Sequence, residues 1–189
     1  QIFMFKDALH DTGDKKFSAF YSNKVIKGKA GSAGLDELTE LVDMILATDE
    51  CAKYICRKIY RFFVSSVIDS EIEQDIITPL SAILRQSYNI KPVMEKLLKS
   101  EHFFDRKIFG IQVKSPLDHV VGLARELGSV FPAMTDFKKR YTEILYGYYY
   151  PASTMQQALG NPPNVAGWQA YYQEPQFYRF WTNSDTLPK

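Results

Sequence analysis

The chain has 189 residues, 46% hydrophobic and 24% charged, an ordinary composition for a globular domain that buries its core without staples. Lys+Arg 23 against Asp+Glu 22 leaves a net charge of +1, so no whole-molecule field draws the chain to nucleic acid or an anionic membrane. No run of about 18 apolar residues is present, which excludes a membrane-spanning helix.

The chain opens Gln1-Ile2-Phe3-Met4-Phe5, without an initiator Met, signal peptide or lipidation box. Both ends read as cuts from a longer chain, whose export signal would lie outside. Ile2 and Met4 alternate with Phe3 and Phe5, a strand pattern, and Phe17 and Phe20 start a second apolar piece after a polar tip from Asp7 to Lys16. That predicts a hairpin-like element with Gly13 in its loop. Residues 22–34 carry Gly28, Gly31 and Gly34 and read as a flexible glycine-rich connector. Residues 1–34 therefore form an extended N-terminal segment and 35–189 a helical domain, together one folding unit.

Helical spacing begins at Leu35. Leu35, Leu38, Leu41, Val42, Ile45 and Leu46 recur at three- and four-residue steps and predict an amphipathic helix with that stripe inward. Thr48 caps a second helix, with Asp49 and Glu50 at its positive end. Cys51 and Cys56 are the only cysteines and sit on it. Five residues apart, they lie about 140° apart around the axis, too divergent for a disulfide, and read as small buried hydrophobes.

A stretch from Ile72 to Tyr88 follows, and Thr78-Pro79 predicts a fresh start inside it, because proline favours the first helical position. Asn89 and Pro92 open the next helix. Ser115-Pro116 with Asp118 gives the clearest start signal, and Gly128 the stop. Thr135-Asp136 opens another helix through Tyr148, a short one runs from Ser153 to Leu159, and helical spacing returns from Pro175 to Leu187. The prediction is an all-α or nearly all-α fold, an irregular bundle of about seven or eight helices with a small N-terminal hairpin-like element.

Several segments then fall into one pattern: His10-Asp11-x-Gly13-x-Lys15, Arg61-Phe62-Phe63-Val64, Leu98-x-Ser100-x-x-Phe103, Lys114-x-Pro116 and Arg125-Glu126-Leu127-Gly128. The most specific piece is Leu159-Gly160-x-Pro162-Pro163-x-Val165-x-Gly167-Trp168, with Trp181-x-Asn183 beyond it. Over nearly its whole length the chain resembles the C-terminal half of the bacterial "domain of unknown function 1800" proteins. The resemblance implies a longer, α-rich parent whose N-terminal half is a partner of this one, and a periplasmic, envelope or secreted location. It carries over no activity, no cofactor and no catalytic residue.

Three residue groups are candidate sites. His10 and Asp11, on a loop with Asp7 and Asp14, are types suited to acid–base or metal-assisted chemistry, although the spacing is not that of a calcium loop. His102 and His119 would reach them only through folding, and no metal site is predicted. Lys53, Arg57 and Arg61 repeat every four residues, a basic ridge able to hold an anion. In the aromatic last third, Tyr148, Trp168, Tyr171, Tyr172 and Trp181, with Tyr146, Tyr149, Tyr150 and Tyr178, are candidates for a groove that stacks on a sugar ring or a peptide. No nucleophile elbow, phosphate-cradling loop, zinc-protease motif or dinucleotide fingerprint occurs. The leading expectation is a non-catalytic binding or scaffold module with a carbohydrate or protein ligand. Alternatives are a hydrolase-type or metal-assisted enzyme completed by the N-terminal half, and an anion-binding or assembly surface on the basic ridge.

Overall fold

The computed structural model describes residues 4–168, 181, 182 and 184. Among these the chain is mostly helical, with six helices and one two-stranded antiparallel sheet. The helices are α1 (Leu35–Leu46), α2 (Asp49–Phe63), α3 (Ser70–Ile72, then a π turn over Glu73–Ile77, then Thr78–Arg85), α4 (Ile90–Leu98), α5 (Pro116–Glu126) and α6 (Lys138–Thr154). Backbone contacts divide the chain into two compact units, one of Gln1–Ile59 and Ile68–His102, the other of Tyr60–Val67 and Phe103–Lys189.

Caps predicted from sequence set three of the six helix starts. Thr48 Oγ1 accepts from the Cys51 N–H at 3.2 Å, and Asn89 Oδ1 from the Lys91 N–H at 3.0 Å. Ser115 Oγ accepts from the Asp118 N–H at 3.1 Å and donates to its Oδ2 at 2.8 Å. Each such cap satisfies a backbone donor that the helix itself leaves unpaired.

Among the described residues fewer helices form than the seven or eight expected, because Thr78-Pro79 does not break its helix and Ser153 to Leu159 forms no helix of its own. Before Pro79 the helix widens into the π turn, where the Thr78 N–H and Oγ1 both donate to the Glu73 carbonyl. One helix therefore runs through the expected boundary. Pro151 lies inside α6, near its end, and lacks the N–H that would bond the Gly147 carbonyl four residues back. The short helix expected from Ser153 to Leu159 is instead the last turn of α6, followed by Gln156 at φ +70°. The helix expected at Thr135-Asp136 begins only at Lys138. The spacing from Pro175 to Leu187 lies almost wholly outside the described residues.

The hairpin is real but placed differently. Its strands are β1 (Lys15–Lys16) and β2 (Val25–Ile26), in register Lys15↔Ile26 and Lys16↔Val25. Ser22 and Asn23, at φ 56° and 54°, turn the chain between them, and the Phe17 N–H donates to the Lys24 carbonyl at 3.0 Å. Asp7–Leu9 is a single 3-10 turn rather than part of the loop of a hairpin, and Ile2 and Phe3 lie outside the described residues. Of the glycines after β2, Gly28 and Gly34 are closely packed rather than part of a flexible entry, whereas Gly31 takes φ +61° in open space. A Cβ on Gly28 would fall 1.9 Å from the Thr12 carbonyl oxygen, so only glycine lets the two backbones touch there.

In the first unit the core is Ile26, Met44, Ala52, Cys56, Ile77, Leu80, Leu84, Val93 and Leu97. Truncating one of its fully buried leucines to alanine costs about 2–5 kcal/mol. Tyr88 Oη donates to the Leu46 carbonyl, and Arg85 reaches Asp49 and the Ala47 carbonyl, pinning α3 to the α1–α2 corner. In the second unit Tyr60, Val64, Val120, Ala152 and Trp181 are buried.

Candidate functional site

The clearest concavity belongs to the second unit, between α5 and α6. The amphipathic spacing of α5 turns Leu117, Val120, Val121 and Ala124 toward α6, which answers with Leu145, Tyr146, Tyr148 and Tyr149. These residues, with Phe131 and Leu159, wall a cavity of about 430 Å³, within the range of small ligand sites. Its lining is almost wholly apolar, Arg125 and Ser129 supplying polar groups at the edge. Ser129 Oγ and Tyr148 Oη bond to each other, which fixes one wall, and the Phe131 ring sits 6.0 Å from Tyr148 and 5.9 Å from Tyr141. Gln157 Oε1 accepts from the Leu117 N–H at 2.7 Å and so ties the segment after α6 to the start of α5. On the outer side, Tyr146 and Tyr150, one helical turn apart, stack at 5.5 Å with 26° between their planes. Tyr149 meets both edgewise, at 6.2 and 5.7 Å. Tyr146 is 47% and Tyr150 61% exposed, so this aromatic surface faces solvent rather than a core.

The second concavity is in the first unit and carries the polar chemistry. Glu37 on α1 is 6% exposed and receives three donors. Lys15 Nζ reaches its Oε2 at 2.7 Å, and His10 Nε2 and the Lys29 N–H reach Oε1 at 3.1 and 2.6 Å. Lys15 and then His10 hold the carboxyl well below the usual range, at about 2, against the opposing effect of burial. With Glu37 anionic and able only to accept, His10 Nε2 is the donor of their bond. The imidazole edge lies against Gly34, and Phe5 packs 5.2 Å from the ring. His10, Lys15 and Glu37 line a hollow of about 310 Å³ whose other walls include Phe17 and Leu38.

Asp11 does not join this group. Its Oδ1 accepts from the Gly13 N–H at 2.9 Å, a local turn bond, and Asp14 is engaged by Lys27 at 2.7 Å. The sequence pattern singles out His10 but not its hydrogen-bond partner Glu37. Glu37 is 27 residues away, and no local spacing links the two.

A family model described as "Protein of unknown function (DUF1800)" matches residues 1–189. The chain belongs to the DUF1800 family. No curated protein and no solved structure matches it, and the family description assigns no activity.

The remaining predicted residues of this DUF1800 chain are placed as follows. Arg57 is clamped by Glu73 at 2.9 and 2.7 Å and also reaches Glu50, so its charge is already matched and its pKa pushed upward. Lys53 is half-buried in a wide hollow that it shares with Asp43, Asp49 and Glu50. Arg61 is half-buried, and its carbonyl accepts from Gln112 Nε2 at 3.2 Å. Trp168 is half-buried and is not among the cavity walls, Trp181 is 7% exposed, and Tyr171, Tyr172 and Tyr178 lie outside the described residues. The loop before Trp168 is a tight turn: Asn164 Oδ1 accepts from the Ala166 N–H at 2.8 Å, and Gly167 takes φ +84°. Among the described residues no group of three or more His, Cys, Asp or Glu side chains could hold a metal ion, and the three histidines form no such group. Cys51 and Cys56 are free thiols, and burial pushes Cys56 up to about 11.

Proposed function

We propose that this chain is the binding and scaffold part of a bacterial exported or envelope protein, acting together with an N-terminal half, and that its ligand enters the α5–α6 cavity. The observation that carries this reading is the cavity itself: about 430 Å³ walled by aliphatic side chains and tyrosines, open beside a stacked tyrosine pair. Apolar walls of this kind gain from excluding water and offer few partners to hydroxyl groups. That favours an apolar or aromatic side chain of a protein ligand over a sugar ring, whose hydroxyls would lose their water bonds there.

The test is a titration of ¹⁵N-labelled protein with indole, as a side-chain probe, and separately with cellotriose. Indole is expected to shift saturably the amides of Val120, Val121, Leu145 and Tyr149. Shifts with cellotriose alone would replace the protein ligand with a carbohydrate, and shifts with neither would overturn the reading.

A second reading is supported by the His10–Glu37 pair. A histidine oriented by a carboxylate beside a hollow is the base-and-orienter arrangement of acid–base catalysis. If it serves a reaction, the step is completed by groups of the N-terminal half, and His10→Gln in the full-length protein abolishes that activity without lowering the melting temperature by more than a few degrees. The basic ridge has the least support as an anion site, because Arg57 already holds two carboxylates and Lys53 stands among three.

A further inference from the structure

Among the described residues, the wall of the α5–α6 cavity carries a single charge. Leu117, Val120, Val121, Ala124 and Arg125 follow one another at helical steps along α5, and Arg125 ends the stripe. No carboxylate lines the cavity with it. The positions one turn away on its own helix end, Val121 and Gly122 before it and Gly128 and Ser129 after it, hold no acid either. Among the described residues no ion pair engages its guanidinium. An ordinary surface arginine is a solvated one, but this one stands at the edge of an apolar wall, where a charge is screened less.

Two hydroxyls join it. Gly128, at φ +61°, closes α5 with its own N–H on the Arg125 carbonyl at 3.1 Å and the Ser129 N–H on the Ala124 carbonyl at 2.9 Å. That turn sets Ser129 in the same wall as Arg125, where its Oγ meets Tyr148 Oη. Their mutual bond uses one hydroxyl hydrogen and leaves the other to donate. A guanidinium and an O–H donor at one end of an apolar space suit a carboxylate.

The rings of Phe131, Tyr146 and Tyr149 in the same wall favour an aromatic group over an alkyl chain as the apolar part of the ligand. In an extended peptide the side chain next to an aromatic points the opposite way, so an internal acid beside it faces away from the wall. A C-terminal residue instead carries ring and carboxylate on one Cα. Resting on the binding reading above, we propose that the cavity takes the C-terminal residue of the protein ligand. Its aromatic side chain lies inside and its α-carboxylate on Arg125 and the Ser129–Tyr148 hydroxyls.

The experiment titrates the whole ¹⁵N-labelled chain with indole, N-acetyltryptophan and N-acetyltryptophanamide, at low and at moderate salt. Indole probes the cavity alone. The acid is expected to bind at least about fivefold more tightly than the amide at low salt, and the gap to narrow as salt rises. Arg125→Gln brings the acid to the level of the amide and leaves indole unchanged, whereas Arg125→Lys keeps part of the preference. Arg125 is exposed, and an unchanged thermal melt confirms an intact fold. If indole does not bind, the binding reading fails and this inference with it. Indole binding with acid and amide equal overturns this inference alone. So does a preference for the acid that survives Arg125→Gln, which would put the carboxylate elsewhere. Decanoate binding as tightly as N-acetyltryptophan would give the site to a lipid acid, and an amidated peptide with tryptophan followed by glutamate doing so would give it to an internal acid; either result overturns the proposal.

Discussion

Replacing Gly34 with alanine tests the packing around His10 with a sign that can go either way. Gly34 sits at φ −58° and ψ −24°, ordinary right-handed helical backbone. On propensity alone, alanine there is favoured by about 0.8–1 kcal/mol. Space dictates the opposite. The new Cβ would lie 2.6 Å from His10 Cδ2, 2.7 Å from Nε2 and 2.9 Å from Phe5 Cζ. The imidazole cannot simply swing away, because its Nε2 is bonded to a buried carboxylate. Overpacking of this kind costs about 1–3 kcal/mol, so the net expectation is a loss of up to about 2 kcal/mol. In a His10→Ala background the obstruction is gone apart from the tip of the Phe5 ring. Gly34→Ala should then be neutral or stabilising, by up to about 1 kcal/mol. Urea unfolding of the four proteins of this cycle gives the coupling directly. Equal effects of Gly34→Ala in the two backgrounds, within about 0.5 kcal/mol, would refute the placement of His10 between Gly34 and Glu37.

Three further outcomes follow from the same geometry. Glu37, held at about 2 when folded against an ordinary 4.5, adds stability that is full above the ordinary value and is lost as pH falls toward 2. Wild-type melting temperature should therefore drop over that interval more than that of Glu37→Gln, and parallel pH profiles would contradict it. Cys56, fully buried with its thiol raised to about 11, should resist a thiol reagent at pH 8 until the protein unfolds, while half-buried Cys51 reacts first; mass-mapped labelling of native protein checks the order. Ser115→Ala removes the cap of α5 and should cost about 0.5–2 kcal/mol in urea unfolding, whereas Ser115→Thr keeps most of it; an alanine variant as stable as wild type would discount the cap.

The helices were legible wherever local chemistry decides. Thr48, Asn89 and Ser115 announce starts because their side chains bond amides only two or three residues on, within reach of a sequence pattern. Pro79 misled because the remedy is not written at the proline itself: a π turn opens before it and lets the helix run on. The orientation of α1 was illegible for a related reason. Its stripe satisfies every rule for an inward face, yet Leu35, Leu38, Val42 and Ile45 are exposed and Leu41 and Leu46 half-buried, while Glu37 is buried against Lys15 and His10, which lie outside the helix. Tyr148, singled out through aromatic density, does line the α5–α6 cavity. The other walls of its cavity, such as Val121 and Leu145, are residue types that any core would use. Trp168, the most conspicuous residue of its motif, is half-buried beside a tight turn at Gly167 rather than in the cavity wall.

The reading of this chain as a binding module is tested most directly by calorimetric titration of indole into wild-type protein and into Ala124→Trp, which fills the α5–α6 cavity from a half-buried position on its wall. Saturable heat with a negative heat-capacity change in the wild type, lost in a variant that melts normally, is the predicted result. Identical heats in both proteins would show that the probe binds elsewhere and would contradict the assignment of this cavity.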